Sequence, residues 1–176
     1  MAIIPTLLDH CKDWLRGTPF AGHPPANLEL RDPFELLDAG HLQLQATGAG
    51  LYAVRIDLRL LTPDSCGIQI PVGTRFLAEN QRWQDMIVIQ PFRTDLRDRK
   101  PHHGEVRAAC LNSTRATPDA RCKFHMERPC PDDSVGRLIR TLGEQKVDPA
   151  HWQQHIWRVT TAAPKPAPTE QRRLSA

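Results

Sequence analysis

Tyr52-Ala-Val-Arg-Ile-Asp-Leu-Arg-Leu60 is the stretch from which the fold is read. Tyr52, Val54, Ile56, Leu58 and Leu60 alternate with Ala53, Arg55, Asp57 and Arg59. A period of two sends the sets to opposite faces of a strand, one buried and one wet, as antiparallel sheets require. Upstream the same alternation runs through Leu42, Leu44 and Ala46 against Gln43 and Gln45. Gly48-Ala-Gly50 separates the two strands.

Downstream, Thr62-Pro-Asp-Ser65 is a turn, and Ile68, Ile70 and Val72 form a strand in which Pro71 marks an edge or a bulge. Asp85-Met-Ile-Val-Ile-Gln90 is β-branched and stops at Pro91, with Phe92 to Leu96 extending it. Glu105 to Leu111 and Cys122 to Glu127 supply two more strands. Short strands, regular turn signals and no intervening helices predict an antiparallel β-sandwich over residues 32–130, within a mainly β protein.

Helices are expected at both ends. Asp133 or Ser134 caps a helix whose stripe is Val135, Leu138, Ile139 and Leu142. Asp148-Pro149 starts another, with Trp152, Ile156 and Val159 as its stripe and Gln153 and Trp157 together beside it. The reading is a C-terminal helical pair, residues 131–160, packed on the sandwich, then a disordered tail at 161–176. At the other end, Leu7, Leu8, Cys11, Trp14 and Leu15 recur at helical spacing before Gly17. Residues 1–17 therefore read as an N-terminal amphipathic helix. Residues 18–31 read as a Pro/Gly linker that makes this helix an arm. The arm either folds back on the core or docks on another protein.

The 176 residues suffice for a core without disulfides. The formal charge of +3 is spread, with no Lys/Arg block longer than Arg172-Arg173, so neither nucleic acid nor a membrane surface is an expected partner. No apolar run reaches the length of a membrane span, and the N-terminus lacks the pattern of a secretion signal. The chain reads as cytoplasmic. Its five cysteines are an odd number, which together with that compartment argues against a disulfide framework.

No phosphate loop, nucleophile elbow or pair of catalytic carboxylates is present. Cys110, Cys122, His125 and Cys130 lack the close cysteine pair of a zinc knuckle, so no metal and no cofactor is expected. One pair remains. Val106, Ala108 and Cys110 share the inner face of a strand, and Gln153 lies one turn into a helix that must pack on the sheet.

Ala-Cys110-Leu and Gln153-Gln-His-Ile-Trp157, with the sandwich pattern between Leu42 and Leu111, resemble the bacterial thioester domains. In that family a strand-borne Cys is joined to the side chain of a helix-borne Gln. The resemblance implies that the Cys110 thiolate attacks the Gln153 carboxamide and ammonia leaves. The resulting acyl group is opened by a partner's amine or hydroxyl, with His155 or His151 moving the proton. The residues alone leave two other readings open: a core thiol beside a capping amide, or a small hydrolase or transferase using Cys110 and a nearby histidine. The expected function is a non-catalytic protein-interaction module with a thioester-like scaffold, binding another protein through the helix from Pro5 to Arg16 or through the sandwich edge; its sharper form adds covalent capture through Cys110 and Gln153.

Overall fold

The computed structural model describes residues 28–97, 99–130 and 133–162. The expected N-terminal helix and residues 163–176 of the expected C-terminal tail lie outside them, while residues 161–162 end the last helix. Among the described residues nine strands run in order: β1 Leu30–Arg31, β2 Leu42–Gly48, β3 Ala53–Leu60, β4 Cys66–Ile70, β5 Arg75–Ala78, β6 Met86–Val88, β7 Phe92–Leu96, β8 His102–Cys110 and β9 Lys123–Glu127. Three helices join them: α1 Pro33–Asp38, α2 Ser134–Glu144 and α3 Pro149–Ala162.

The sandwich expectation is corrected. Six strands close into an antiparallel barrel in the order β2-β3-β8-β6-β5-β9, and β1-β4-β7 form a separate three-stranded sheet. Closure comes from β9, which pairs with β2 through Ala46↔Phe124 and with β5 through Phe76↔Met126. A strand with one buried face shows the same alternation in a barrel as in a sandwich. What distinguishes the two is whether the outermost strands meet.

The local readings that fed this fold are visible in it. Val54, Ile56, Leu58 and Leu60 are buried while Arg55 and Arg59 are exposed. With Phe76, Met86, Val106, Ala108, Phe124 and Met126 they fill the barrel. The small sheet adds Cys66, Ile68, Ile70 and Leu96 to this same core. Gly104 of β8 makes room for Phe92 of β7, whose Cζ would lie 2.6 Å from an added Cβ.

A second core forms outside the barrel. Ile87, Ile89, Ala109 and Leu111 point away from the interior and meet Val135, Ile139, Leu142, Trp152 and Ile156 of the helical pair. Strand residues that are apolar on both faces mark where the helices sit. Asp133 caps α2 by accepting from the N–H groups of Val135 and Gly136, and Arg75 reaches the same carboxylate at 2.7 Å. The indole N–H of Trp152 donates to Val147 O at 2.9 Å, fixing the start of α3 against the turn after α2.

Candidate functional site

Strand β8 ends beside the helical pair, and there the backbone has an unusual need. The residues flanking Cys110 use one edge of the strand: Arg107 O accepts from Ile89 N, and Leu111 N donates to Asp85 O. Successive peptide groups point to opposite edges. Cys110 therefore presents its N–H and C=O to the other edge, on the side of β3. That neighbour has run out. β3 begins at Ala53, and the last bond on this side is Ala108 N to Tyr52 O.

Gln153 takes the missing strand's place. Its Oε1 accepts from Cys110 N at 2.8 Å, and its Nε2 donates to Cys110 O at 2.6 Å. One primary amide thus satisfies both orphan groups of one peptide segment, in the donor–acceptor pattern of a β-ladder. The side chain is only 5% exposed. Burial makes the pairing matter, because an unpaired N–H or C=O in that position costs far more than the bond contributes.

The thiol of Cys110 turns elsewhere. It belongs to the barrel interior, with Sγ 3.3 Å from Met86 Sδ and 3.7 Å from Leu51 O. Burial pushes its pKa from 9.0 up to about 12. A thiol held in this way stays neutral at physiological pH and is a poor nucleophile.

The structure brings Cys110 and Gln153 together, as the pattern suggested, but through the peptide group of the cysteine. His155 is not part of the cluster. Two residues along a helix point away from one another, and the half-buried His155 makes no hydrogen bond to Cys110 or Gln153. His151 is exposed on the first turn of α3. Trp157, four residues beyond Gln153, packs partly buried against the barrel core. Cys122 is also buried, with its pKa pushed up to about 11 by burial first and by Asp119 second. His125 and Cys130 are exposed. Among the described residues no group of three or more His, Cys, Asp and Glu side chains is arranged to hold a metal ion. Among them, too, no helix is long and apolar enough to cross a membrane.

One cluster went unread in the sequence. The guanidinium groups of Arg82, at 5.1 Å, and Arg121, at 5.7 Å, both lie over the Trp83 ring. Arg115 reaches Asp85 at 3.1 Å, and Gln84 donates to Arg115 O at 3.0 Å. These bonds tie the 80–85 segment to the 112–121 segment, and Arg121 is committed to Asp119. Both segments read locally as polar loops, and only Trp83 among loop arginines hinted at the stack.

No family model, curated protein or solved structure matches the chain.

Proposed function

We propose that this chain is a non-catalytic protein-interaction module, in which Cys110 and Gln153 form a structural joint and the segment from Pro5 to Arg16 engages another protein. One observation carries the non-catalytic part. Both polar ends of the Gln153 amide are bonded to the Cys110 peptide, while the thiol is buried in the barrel. A carboxamide held in this way is a scaffold group. A thiol raised to about 12, with no histidine bonded to it among the described residues, lacks the base that nucleophilic catalysis needs. The interaction part rests on the apolar stripe of Leu7, Leu8, Cys11, Trp14 and Leu15, the pattern of helices that dock in grooves.

Intact mass and capture test this reading together. The full chain should have the mass calculated from its sequence, and Cys110→Ala should differ from it only by the side chain. Capture of a protein partner should survive Cys110→Ala and fail in a Leu8→Asp/Leu15→Asp variant, and the captured protein should be released by denaturant. A parent lighter by one ammonia, with the deficit absent in Cys110→Ala, would mean covalent capture through a thioester. Turnover of a substrate lost in Cys110→Ala would mean a cysteine hydrolase or transferase.

A further inference from the structure

Beside α1 the surface opens into two concavities that share Phe34 and Arg128. One, of about 480 Å³, is walled by Leu30, Pro71 and Pro129. The other, of about 610 Å³, has Leu37, Leu44, Phe124 and Met126 in its lining. Both volumes fall in the ~300–1,000 Å³ range of binding clefts, and the two adjoin at Phe34 and Arg128, which line both. Leu30, at 51% exposed, is one of two large apolar side chains left open among the described residues.

The charges of the groove divide unevenly. Arg128 lies over the Phe34 ring at 4.8 Å and is held by Asp32 and Asp38, each at 2.9 Å, so its charge is spent in the wall. Glu127, on the rim, is exposed and forms no ion pair among the described residues. The rim therefore offers an acceptor for a cation.

We propose that the segment Pro5 to Arg16 of the same chain seats in the concavity lined by Leu37 and Leu44, with its apolar stripe on these two side chains and Lys12 at Glu127. The chain enters the described structure beside it. Glu29 O accepts from Gly67 N, and Leu30 already walls the first concavity. Residues 17–27 can span up to ~35 Å, and residues 5–16 as a helix would run ~18 Å, so the tether reaches. In a helix Lys12 borders the stripe, four residues after Leu8 and three before Leu15, whereas Asp9 and Asp13 fall on the far face. The apolar concavity beside Ile139 and Trp152 has a mixed lining of Arg140, Lys146 and Asp148, and the described chain does not enter beside it. Seating needs no partner. It implies that a partner binding the stripe must first displace the arm from the barrel.

Hydrogen exchange on the full chain tests this. The amides of residues 8–16 should be protected, equally at low and high protein concentration, and Trp14→Asp should return them to the coil rate while barrel amides stay protected. Lys12→Glu and Glu127→Lys should each lower arm protection about two- to fivefold, the range of a surface ion pair, and the double exchange should restore it. Coil-rate exchange in the parent overturns the proposal. So does protection that grows with concentration, which would place the arm on a second copy, or failure of the charge exchange to restore it. Each outcome is independent of whether any partner is captured.

Discussion

Gln153 stands in for a strand at Cys110: its amide donates to the cysteine carbonyl at 2.6 Å and accepts from the cysteine N–H at 2.8 Å. The contact is the polar link between the barrel and α3, set in an otherwise apolar interface of Ala109, Leu111, Trp152 and Ile156. Apolar contacts slide at little cost, whereas a two-point hydrogen bond fixes register. The joint therefore sets where on β8 the helix sits.

Gln153→Ala should remove both partners of the Cys110 peptide and leave two buried polar groups unpaired. At about 1–3 kcal/mol for each group, the loss should total about 2–6 kcal/mol. Urea denaturation should show a lower midpoint with an unchanged slope. Gln153→Met, which keeps the volume, should lose nearly as much. If Gln153→Met matched the parent, the amide would be a passenger and the joint a packing contact.

Gln153→Glu separates the donor from the acceptor. An ionised carboxylate still accepts from Cys110 N but faces Cys110 O with no proton between them. Burial and that repulsion favour the protonated form in the folded state, raising its pKa above the usual ~4.3. For an acid raised on folding, the contribution is most favourable below the unfolded value and is lost as pH rises through the folded one. The gap in stability between parent and variant should be small near pH 4 and widen toward pH 7. A gap that does not change with pH would show that the side chain has swung out to water.

The Cys110 thiol predicts an alkaline weakness. Its pKa is 9.0 when exposed and is pushed to about 12 by burial, so the neutral form is the one that the fold accommodates. The stabilisation is complete below about 9 and lost as pH climbs toward 12, at about 1.4 kcal/mol per unit. Cys110→Ala should start less stable, because a cavity opens beside Met86, yet decline less steeply over that window. Parallel curves for parent and variant would mean that the thiol reaches water. Thiol labelling should agree, with Cys130 reacting fast in the native protein and Cys66, Cys110 and Cys122 reacting only on unfolding.

Much of this architecture could be read locally. The alternation from Val54 to Leu60 follows from one buried face, and Asp133 with Ser134 and Asp148 with Pro149 mark real helix starts. Closure could not be read locally. It depends on Phe124 meeting both Ala46 and Ala78, and nothing in residues 123–127 states which strands lie on either side. The candidate site divides in the same way. A period of two put the Cys110 side chain inside, and the helical stripe put Gln153 at the sheet. The choice between sulfur and peptide as the partner of the amide depends on β3 starting at Ala53, a length that strand patterning leaves loose. The groove beside α1 was hidden for a similar reason, since its lining comes from α1, β2 and β9.

The closure point itself gives the last prediction. Gly48 ends β2 where β9 begins, and its N–H donates to Cys122 O at 3.0 Å. Two residues on, Gly50 N donates to Pro118 O at 3.0 Å, so the loop before β9 lies flat against the end of β2. A Cβ on residue 48 would stand 2.6 Å from Asp119 O and 2.6 Å from Pro118 Cβ. Those neighbours are main chain and a rigid ring, which cannot swing aside as a long side chain does. Gly48→Ala should therefore push the loop off the barrel and cost about 1–3 kcal/mol, the range for overpacking. Replacing Pro118 with glycine in the same chain removes the Cβ clash, one of three close contacts, and should recover part of the loss, so the two changes should not add. Hydrogen exchange gives a local readout. The amide of Gly50 should lose protection in Gly48→Ala before the amides of Ile56 and Leu58 do. If Gly48→Ala unfolded within about 0.5 kcal/mol of the parent with the Gly50 amide still protected, the loop would have room to spare and the tight seam between β2 and β9 would be wrong.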